Sequence, residues 1–205
     1  AVKLATPEMH VHAFSPLEVW QGAATLGIGV DEFLLRLKTA GLNTLPGTAA
    51  EILDDEVRAD LCHDKINTAQ WLEVMEAAHN AGFNTTATIM YGHIEKLQHW
   101  ARHLLRVRQL QEKTGGFTEF VPLPFVHMEA PLYLKGKSRS GPTFRESLLM
   151  HAVARLVLSR MVVSGVAMGS SASGFSASGG RVDLSASAGS KKSNDIIEGE
   201  SWDEK

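Results

Sequence analysis

Apolar side chains recur along the chain with two spacings, one typical of strands and one typical of helices. The strongest strand signal lies at residues 83–91, which are rich in β-branched side chains. A helical signal follows at residues 94–113, and its predicted inward positions are Leu97, Trp100, Ala101, Leu104 and Leu105. Further strands are predicted at residues 8–14, 42–45 and 117–125, and further helices at residues 17–26, 31–40, 68–81 and 143–163.

The order of these elements predicts the fold class. Strands that alternate with helices form a parallel sheet with helical crossovers. No Gly-x-Gly-x-x-Gly follows a strand, which argues against an open dinucleotide-binding sheet. Polar and glycine-rich residues instead follow the carboxyl ends of the strands, where barrel enzymes carry their sites. We therefore expect an α/β fold that forms about half of a TIM-like (β/α) barrel.

The composition changes beyond the last predicted helix. Residues 164–190 are mostly Gly, Ser and Ala, and residues 191–205 are charged and polar. Such a segment buries too little apolar surface to offset the entropy lost on ordering. We expect a partial barrel domain at residues 1–163 and a disordered tail at residues 164–205. The tail is interpreted as a flexible linker or as a mistaken continuation of the coding sequence.

Charge and cysteine content narrow the class of protein. The 205 residues carry 20 Lys and Arg against 23 Asp and Glu, a net charge of -3. This leaves no overall basic field for nucleic acid or an anionic membrane, so small molecules or proteins are the expected partners. The single cysteine, Cys62, excludes an internal disulfide and is interpreted as a small buried side chain in a reducing compartment. No membrane span or signal pattern is found in the sequence.

The first candidate site residues are His10 and His12, which share one face of a predicted strand because side chains alternate. They are interpreted either as a metal pair or as polar groups that bind substrate. No third ligand stands at a suitable spacing, so the substrate-binding interpretation is favoured and no metal site is assigned.

A turn of small residues follows the predicted strand at residues 42–45. Gly47 would let the backbone approach a ligand closely, and Glu51 would accept hydrogen bonds from a ribose or an amine. Thr48 and Glu51 also fit a helical capping box, which the spacing alone favours.

The end of the strongest strand supplies further candidates. Tyr91 and His93 are candidates for stacking and proton transfer, and Gly92 permits close approach. His93 is equally interpreted as a polar residue at a helix start. Glu119 and His127, on the last predicted strand and the loop after it, are additional pocket candidates.

Several longer segments carry a family resemblance. They are residues 10–16 (HVHAFSP), 45–53 (LPGTAAEIL), 64–66 (DKI), 85–93 (TTATIMYGH), 117–127 (FTEFVPLPFVH) and 141–145 (GPTFR). In this order they resemble the FO synthase family of radical S-adenosylmethionine (SAM) enzymes. Radical SAM enzymes of the menaquinone pathway share the shorter His-x-His and Tyr-Gly-His elements, whereas the block at residues 117–125 favours the FO synthases.

The resemblance implies a radical SAM barrel in which a [4Fe-4S] cluster cleaves SAM to a 5′-deoxyadenosyl radical. In the hydroxybenzyl-transferring half of FO synthase, the radical acts on L-tyrosine. The 4-hydroxybenzyl group is then joined to 5-amino-6-(D-ribitylamino)uracil, on the way to the deazaflavin of coenzyme F420. The resemblance assigns His10, His12 and His93 to catalysis, Gly47, Thr48, Glu51, Tyr91, Gly92 and Glu95 to the cofactor, and Glu119 and His127 to the substrates.

Departures from the family accompany this resemblance. The three-cysteine cluster loop is absent, and Thr88 and Met90 depart from the Gly-x-Ile-x-Gly-x-x-Glu pattern that Gly92 and Glu95 match. We therefore expect a fragment that lacks the cluster ligands and is inactive alone. A cytoplasmic location is expected, or an organelle in a eukaryote, with the other FO synthase half as a candidate partner. The alternatives are a non-catalytic remnant or ligand-binding module, and a menaquinone-pathway radical SAM enzyme.

Overall fold

A four-stranded parallel sheet organises residues 1–165, the part of the chain that the computed structural model describes. The strand order is β1 (Thr44–Leu45), β2 (Asn84–Tyr91), β3 (Phe117–Pro124) and β4 (Val162–Val163). All three pairings are parallel, and helices lie between successive strands in the chain. The predicted α/β class with a parallel sheet and helical crossovers is confirmed.

The helices begin where local sequence favours a start. Ser15, Asn67 and Thr143 each form a capping box at the beginning of a helix, in which the side chain and the backbone exchange hydrogen bonds. The helices of the described residues are α1 (Val2–Ala5), α2 (Pro16–Leu26), α3 (Val30–Thr39), α4 (Asp55–Leu61), α5 (Thr68–Asn80), α6 (Leu97–Thr114), α7 (Pro131–Leu134) and α8 (Phe144–Val157).

Two hydrophobic clusters pack the helices against one face of the sheet. The larger cluster contains Trp71 and Phe120, and the smaller contains Leu34, all with no exposed surface. Three alternate residues of β2, Ala87, Ile89 and Tyr91, enter the larger cluster. Because strand side chains alternate, the intervening residues of β2 lie on the opposite face.

The predicted first strand is largely wrong. Among residues 8–14, only His12 pairs with the sheet, through an isolated parallel bridge to Thr44. Backbone hydrogen bonds from Asn43 and Thr44 to the Val11 carbonyl hold this segment beside β1. The alternating pattern therefore predicted correctly that His10 and His12 share a face, but the segment has only one bridge to the sheet and is not a strand.

The last predicted helix is too long. Residues 143–163 were expected to be helical throughout, but α8 ends at Val157 and β4 follows. The Ser164 N–H donates to the Phe120 carbonyl, which continues the pairing of β4 with β3. Val162 and Val163 are compatible with the apolar spacing of a helix and with that of a strand. The run of apolar residues therefore did not indicate where the helix ends.

The inward face of α6 differs from its prediction. Trp100 and Leu104 are buried, as expected. The predicted positions that are exposed instead are Leu97, Ala101 and Leu105. His103 is fully buried on this helix, and its Nδ1 accepts the N–H of Leu53 at 3.0 Å. A pattern of apolar residues alone misses a histidine whose polar atom has a backbone partner.

Almost all of the predicted tail at residues 164–205 lies outside the described residues, which end at residue 165. The division into a domain at residues 1–163 and a tail therefore stays a prediction. Within residues 1–165, no helix combines the length and the apolar character needed to cross a membrane.

Candidate active site on the polar face of the sheet

The strand register brings a set of polar side chains to the face of the sheet opposite the core. His12 pairs with Thr44, and Thr44 pairs with Asn84. Two residues further along β2, Thr86 pairs with Glu119 of β3. Partners in adjacent strands share a face, so these five residues lie on one side, which we call the polar face.

His10 and His12 meet at one hydroxyl group on the polar face. Thr44 Oγ1 lies 2.8 Å from His10 Nε2 and 2.7 Å from His12 Nδ1. Burial and the neighbouring His10 lower the pKa of His12, while the Glu119 carboxylate opposes this shift. The lowered pKa favours the neutral form of His12 at neutral pH, which leaves one ring nitrogen able to accept a proton.

The turn at Gly47 approaches β2 and not an open space. The Gly47 N–H donates to Thr86 Oγ1 at 3.0 Å, and its carbonyl accepts from Thr88 Oγ1 at 2.7 Å. A Cβ at this position would lie 2.0 Å from the Thr86 carbonyl oxygen. The absence of a side chain is thus explained by backbone packing. Thr48 has an exposed side chain, and its carbonyl accepts from Trp71 Nε1 at 3.2 Å.

The capping-box interpretation of Thr48 and Glu51 is wrong, because no helix begins there and α4 begins only at Asp55. Glu51 has a left-handed backbone with φ of 47°, which is uncommon for a residue other than glycine. Its carbonyl accepts the Met90 N–H at 2.7 Å, and its carboxylate lies 2.6 Å from Lys65 Nζ. Glu51 therefore fixes the turn against β2, and its charge is paired with Lys65.

Glu95 organises the turn after β2. Its side chain is fully buried and accepts the N–H groups of Gly92 at 2.5 Å and His93 at 2.8 Å, and Trp100 Nε1–H at 2.9 Å. Burial raises the pKa of this carboxyl, but the nearby His93 and these hydrogen bonds outweigh it, so the net pKa is below its usual value. Arg139 Nη2 lies 3.6 Å from the same carboxylate. Glu95 is therefore an ionised internal anchor.

Gly92 has φ of 96°, and the chain itself fills the space beside it. A Cβ on Gly92 would lie 2.3 Å from Pro142 Cδ and 2.9 Å from the Gly141 carbonyl carbon. The close approach predicted for a ligand is thus made by the segment that precedes α8. Contact of Gly92 or Glu95 with SAM stays a prediction.

His93 and Tyr91 are enclosed by the protein. His93 Nε2 lies 3.0 Å from the Met90 carbonyl, and its Nδ1 lies 2.8 Å from the Ile94 N–H. Burial lowers the pKa of His93, against the opposing effect of Glu95. The Tyr91 ring packs edge-on against Trp100 at 5.5 Å on the core side. In this arrangement neither ring is exposed to a ligand on the polar face.

The remaining candidates lie at two different places. Glu119 is half-buried on the polar face and accepts a hydrogen bond from Ser164 Oγ. His127 lies in the loop after β3, with its ring 4.6 Å from that of Tyr133. The structure therefore brings His10, His12 and Glu119 to one face and keeps His127 outside this group.

Sequence reasoning missed Thr44, Lys65 and Arg139. Thr44 carried a usable signal, because it occupies the same alternating face of its strand as the two histidines do of theirs. The pairing of Lys65 with Glu51 and of Arg139 with Glu95 depends on loops that fold back over many residues. No local pattern predicts such contacts.

The described residues do not fit an iron–sulfur cluster. The chain has one cysteine, and Cys62 is buried, which raises the pKa of its thiol. Asp54, Glu56 and His99 come within 4.8 Å of one another. However, Arg102 lies 3.0 Å from Asp54 and 3.6 Å from Glu56, and Arg106 lies 3.9 Å from Asp54, so both carboxylates are already paired with arginines.

Residues 18–107 match the family model of the radical SAM superfamily. The chain is also 53% identical to the FO synthase of Mycobacterium leprae over 158 residues, which are 77% of this chain and 18% of that protein. It is 52% identical to the 5-amino-6-(D-ribitylamino)uracil–L-tyrosine 4-hydroxyphenyl transferase of Methanocaldococcus jannaschii over 150 residues, which are 73% of this chain and 42% of that protein.

These matches confirm the predicted resemblance to radical SAM enzymes and to FO synthases for about three quarters of the chain. The chain spans less than half the length of these relatives. What it matches is therefore a segment of the longer enzymes.

The variant Glu95→Gln tests the anchor role of Glu95. We expect the free energy of unfolding to fall by about 1–3 kcal/mol, since the amide would turn an N–H₂ group toward buried N–H donors. The measurement is urea denaturation followed by circular dichroism. Glu73→Gln, at an exposed glutamate of α5, is the matched control and should leave the free energy of unfolding nearly unchanged. An unchanged unfolding midpoint for Glu95→Gln would contradict the anchor role.

Proposed function

We propose that this chain is the substrate-binding part of a radical SAM enzyme that joins the 4-hydroxybenzyl group of L-tyrosine to 5-amino-6-(D-ribitylamino)uracil. The observation that carries the proposal is the 52% identity over 150 residues to a transferase named for these two compounds. The polar face supports it, since His10, His12 and Glu119 lie together on an open side of a parallel sheet.

The proposed roles follow the position of each residue. His10, His12 and Glu119 contact the substrates on the polar face, and His127 contributes from the loop after β3. A bound SAM supplies the radical in such enzymes, and its cluster requires cysteines other than Cys62. Residues Gly47, Thr48, Glu51, Tyr91, Gly92, Glu95 and His93 shape the turns at the carboxyl ends of β1 and β2 where SAM is proposed to bind.

Small molecules are the proposed partners, together with the other half of FO synthase as a protein partner. The proposed location is the cytoplasm, or an organelle if the source is a eukaryote. The protein partner is proposed because the M. leprae protein is much longer than the matched segment.

A chimera tests the proposed function. The matched 150-residue segment of the M. jannaschii transferase is replaced by the corresponding residues of this chain. We expect the purified chimera, reconstituted with iron and sulfide, to consume both L-tyrosine and the uracil and to form their adduct, detected by mass spectrometry. Activity should stay within about tenfold of the parent, because the polar side chains that bind substrate are supplied intact.

The control is the same chimera carrying His10→Ala and His12→Ala, which should retain cluster absorption and lose adduct formation. A folded chimera that cleaves SAM but forms no adduct would favour the non-catalytic alternative. Turnover of a menaquinone precursor by that chimera would instead favour a menaquinone-pathway radical SAM enzyme.

A further inference from the structure

One hydroxyl group joins the two histidines of the polar face. Thr44 Oγ1 is within hydrogen-bond distance of both His10 Nε2 and His12 Nδ1, at 2.8 and 2.7 Å. A hydroxyl has a single hydrogen, so Thr44 donates to one ring and accepts from the other. Within residues 1–165, it has no third partner to take that hydrogen. We call this arrangement the bridged histidine pair.

The single hydrogen couples the tautomers of the two rings whenever both rings are neutral. When Thr44 donates to His12 Nδ1, His12 carries its hydrogen on Nε2 and His10 donates from its own Nε2. When Thr44 donates to His10 Nε2, both rings carry the hydrogen on Nδ1. In either case the two rings have the same tautomer, because one meets the hydroxyl through Nε2 and the other through Nδ1.

The nitrogens that face away from Thr44 therefore have opposite character. They are His10 Nδ1 and His12 Nε2, and neither has a hydrogen-bond partner in the described part of the chain. One of them is an N–H donor and the other a lone-pair acceptor, whichever tautomer is present. Both histidines are exposed, so a ligand that reaches both rings meets one donor and one acceptor.

We infer that Thr44 positions His10 and His12 as a donor and acceptor pair that binds the pyrimidine ring of 5-amino-6-(D-ribitylamino)uracil, an inference that rests on the proposed function. The ring edge of a uracil places an N–H beside a C=O, which complements such a pair. The ammonium and carboxylate of L-tyrosine also present a donor and an acceptor, but both groups are charged and costly to desolvate, whereas the uracil edge is uncharged. Thr44 is thus a positioning residue for binding of the uracil.

The tautomers provide the first test. Long-range ¹H–¹⁵N correlation spectra of the ¹⁵N-labelled 205-residue chain at mildly alkaline pH report which ring nitrogen carries the hydrogen. We expect His10 and His12 to show the same tautomer in the wild type and in Thr44→Ser, which keeps the hydroxyl. Thr44→Val keeps the branched shape and should release the coupling. Opposite tautomers in the wild type would overturn the inference.

Binding provides the second test. The chain is titrated with 5-amino-6-(D-ribitylamino)uracil and, separately, with L-tyrosine, while the ring signals of His10 and His12 are followed. We expect the uracil to shift both rings, with a Kd about three- to tenfold weaker in Thr44→Val and nearly unchanged in Thr44→Ser. Amide spectra of all three proteins verify that each is folded.

The outcomes separate this inference from the proposed function. If L-tyrosine shifts the bridged histidine pair and the uracil does not, the substrate assignment is wrong while the proposed function stands. Equal uracil affinity in the wild type and Thr44→Val would overturn the positioning role of Thr44. An active chimera together with no effect of the uracil on either ring would also overturn the inference alone, whereas an inactive chimera would count against the proposed function.

Discussion

Reconstitution of the 205-residue chain with iron and sulfide under anaerobic conditions is expected to give no [4Fe-4S] cluster and no 5′-deoxyadenosine from SAM. Such clusters are held by several cysteine thiolates, and this chain has one cysteine. Burial raises the pKa of the Cys62 thiol, so even this group is held in its protonated form at neutral pH. The expected effect is complete loss of reductive SAM cleavage.

Absorption and electron paramagnetic resonance spectra measure the cluster, and chromatography measures 5′-deoxyadenosine. Cys62→Ala is the matched control, and it should bind as little iron as the wild type. The M. jannaschii transferase, treated in parallel, shows that the reconstitution works. A stoichiometric cluster signal with SAM cleavage by the chain alone would contradict both the ligand count and the fragment interpretation.

The regular elements were predictable because their signals are local. The β-branched run at residues 83–91 became β2, and the cap at Asn67 became the start of α5. Both depend on residues within a few positions of one another. The shared face of His10 and His12 followed from the period of two, although residues 8–14 pair with the sheet only at His12.

The glycines of the candidate site show that a sequence does not predict which group packs against a glycine. Gly47 and Gly92 were interpreted as positions where a ligand approaches the backbone closely. A close approach does occur at both, but the neighbours are the backbone of Thr86 and the ring of Pro142. A glycine indicates that a side chain does not fit, while what takes its place is decided by chain segments distant in sequence.

The buried polar groups were the hardest to predict. His103 on α6 accepts a hydrogen bond from Leu53, and Glu95 before α6 lies near Arg139, so both have partners distant in sequence. From sequence alone, a polar residue on an otherwise apolar helix face is predicted to be exposed to solvent. Its burial depends on hydrogen bonds that form only in the folded chain, and these bonds also perturb its protonation.

Acidification is expected to destabilise the folded chain strongly because of two buried histidines. Burial lowers the pKa of His79 to about 4, against the opposing effect of Glu76. Burial, assisted by Arg106 and Arg58, lowers the pKa of His103 to about 3. An unfolded histidine has a pKa of about 6.5. The folded state therefore resists protonation of both rings between those values.

The direction of the change in stability with pH follows from proton binding by the folded and the unfolded chain. Above about pH 6.5 both rings are neutral whether folded or unfolded, and stability is at its full value. As the pH falls below this, the unfolded chain takes up protons that the folded chain does not, so the free energy of unfolding decreases. By pH 4 the loss is about 3 kcal/mol for each of His79 and His103, a large part of the stability of a typical domain.

Urea denaturation at a series of pH values from 7 to 4 measures this loss. His103→Gln replaces the ring with a neutral amide whose oxygen is able to accept the Leu53 N–H. It should reduce the slope of unfolding free energy against pH by up to about 1.4 kcal/mol per pH unit, which is one proton. His63→Gln, at an exposed histidine, accounts for the loss of a titratable group as such. A slope in His103→Gln equal to that of the wild type would show that His103 becomes charged in the folded chain, and a buried charge next to Arg58 and Arg106 would then need a compensating partner.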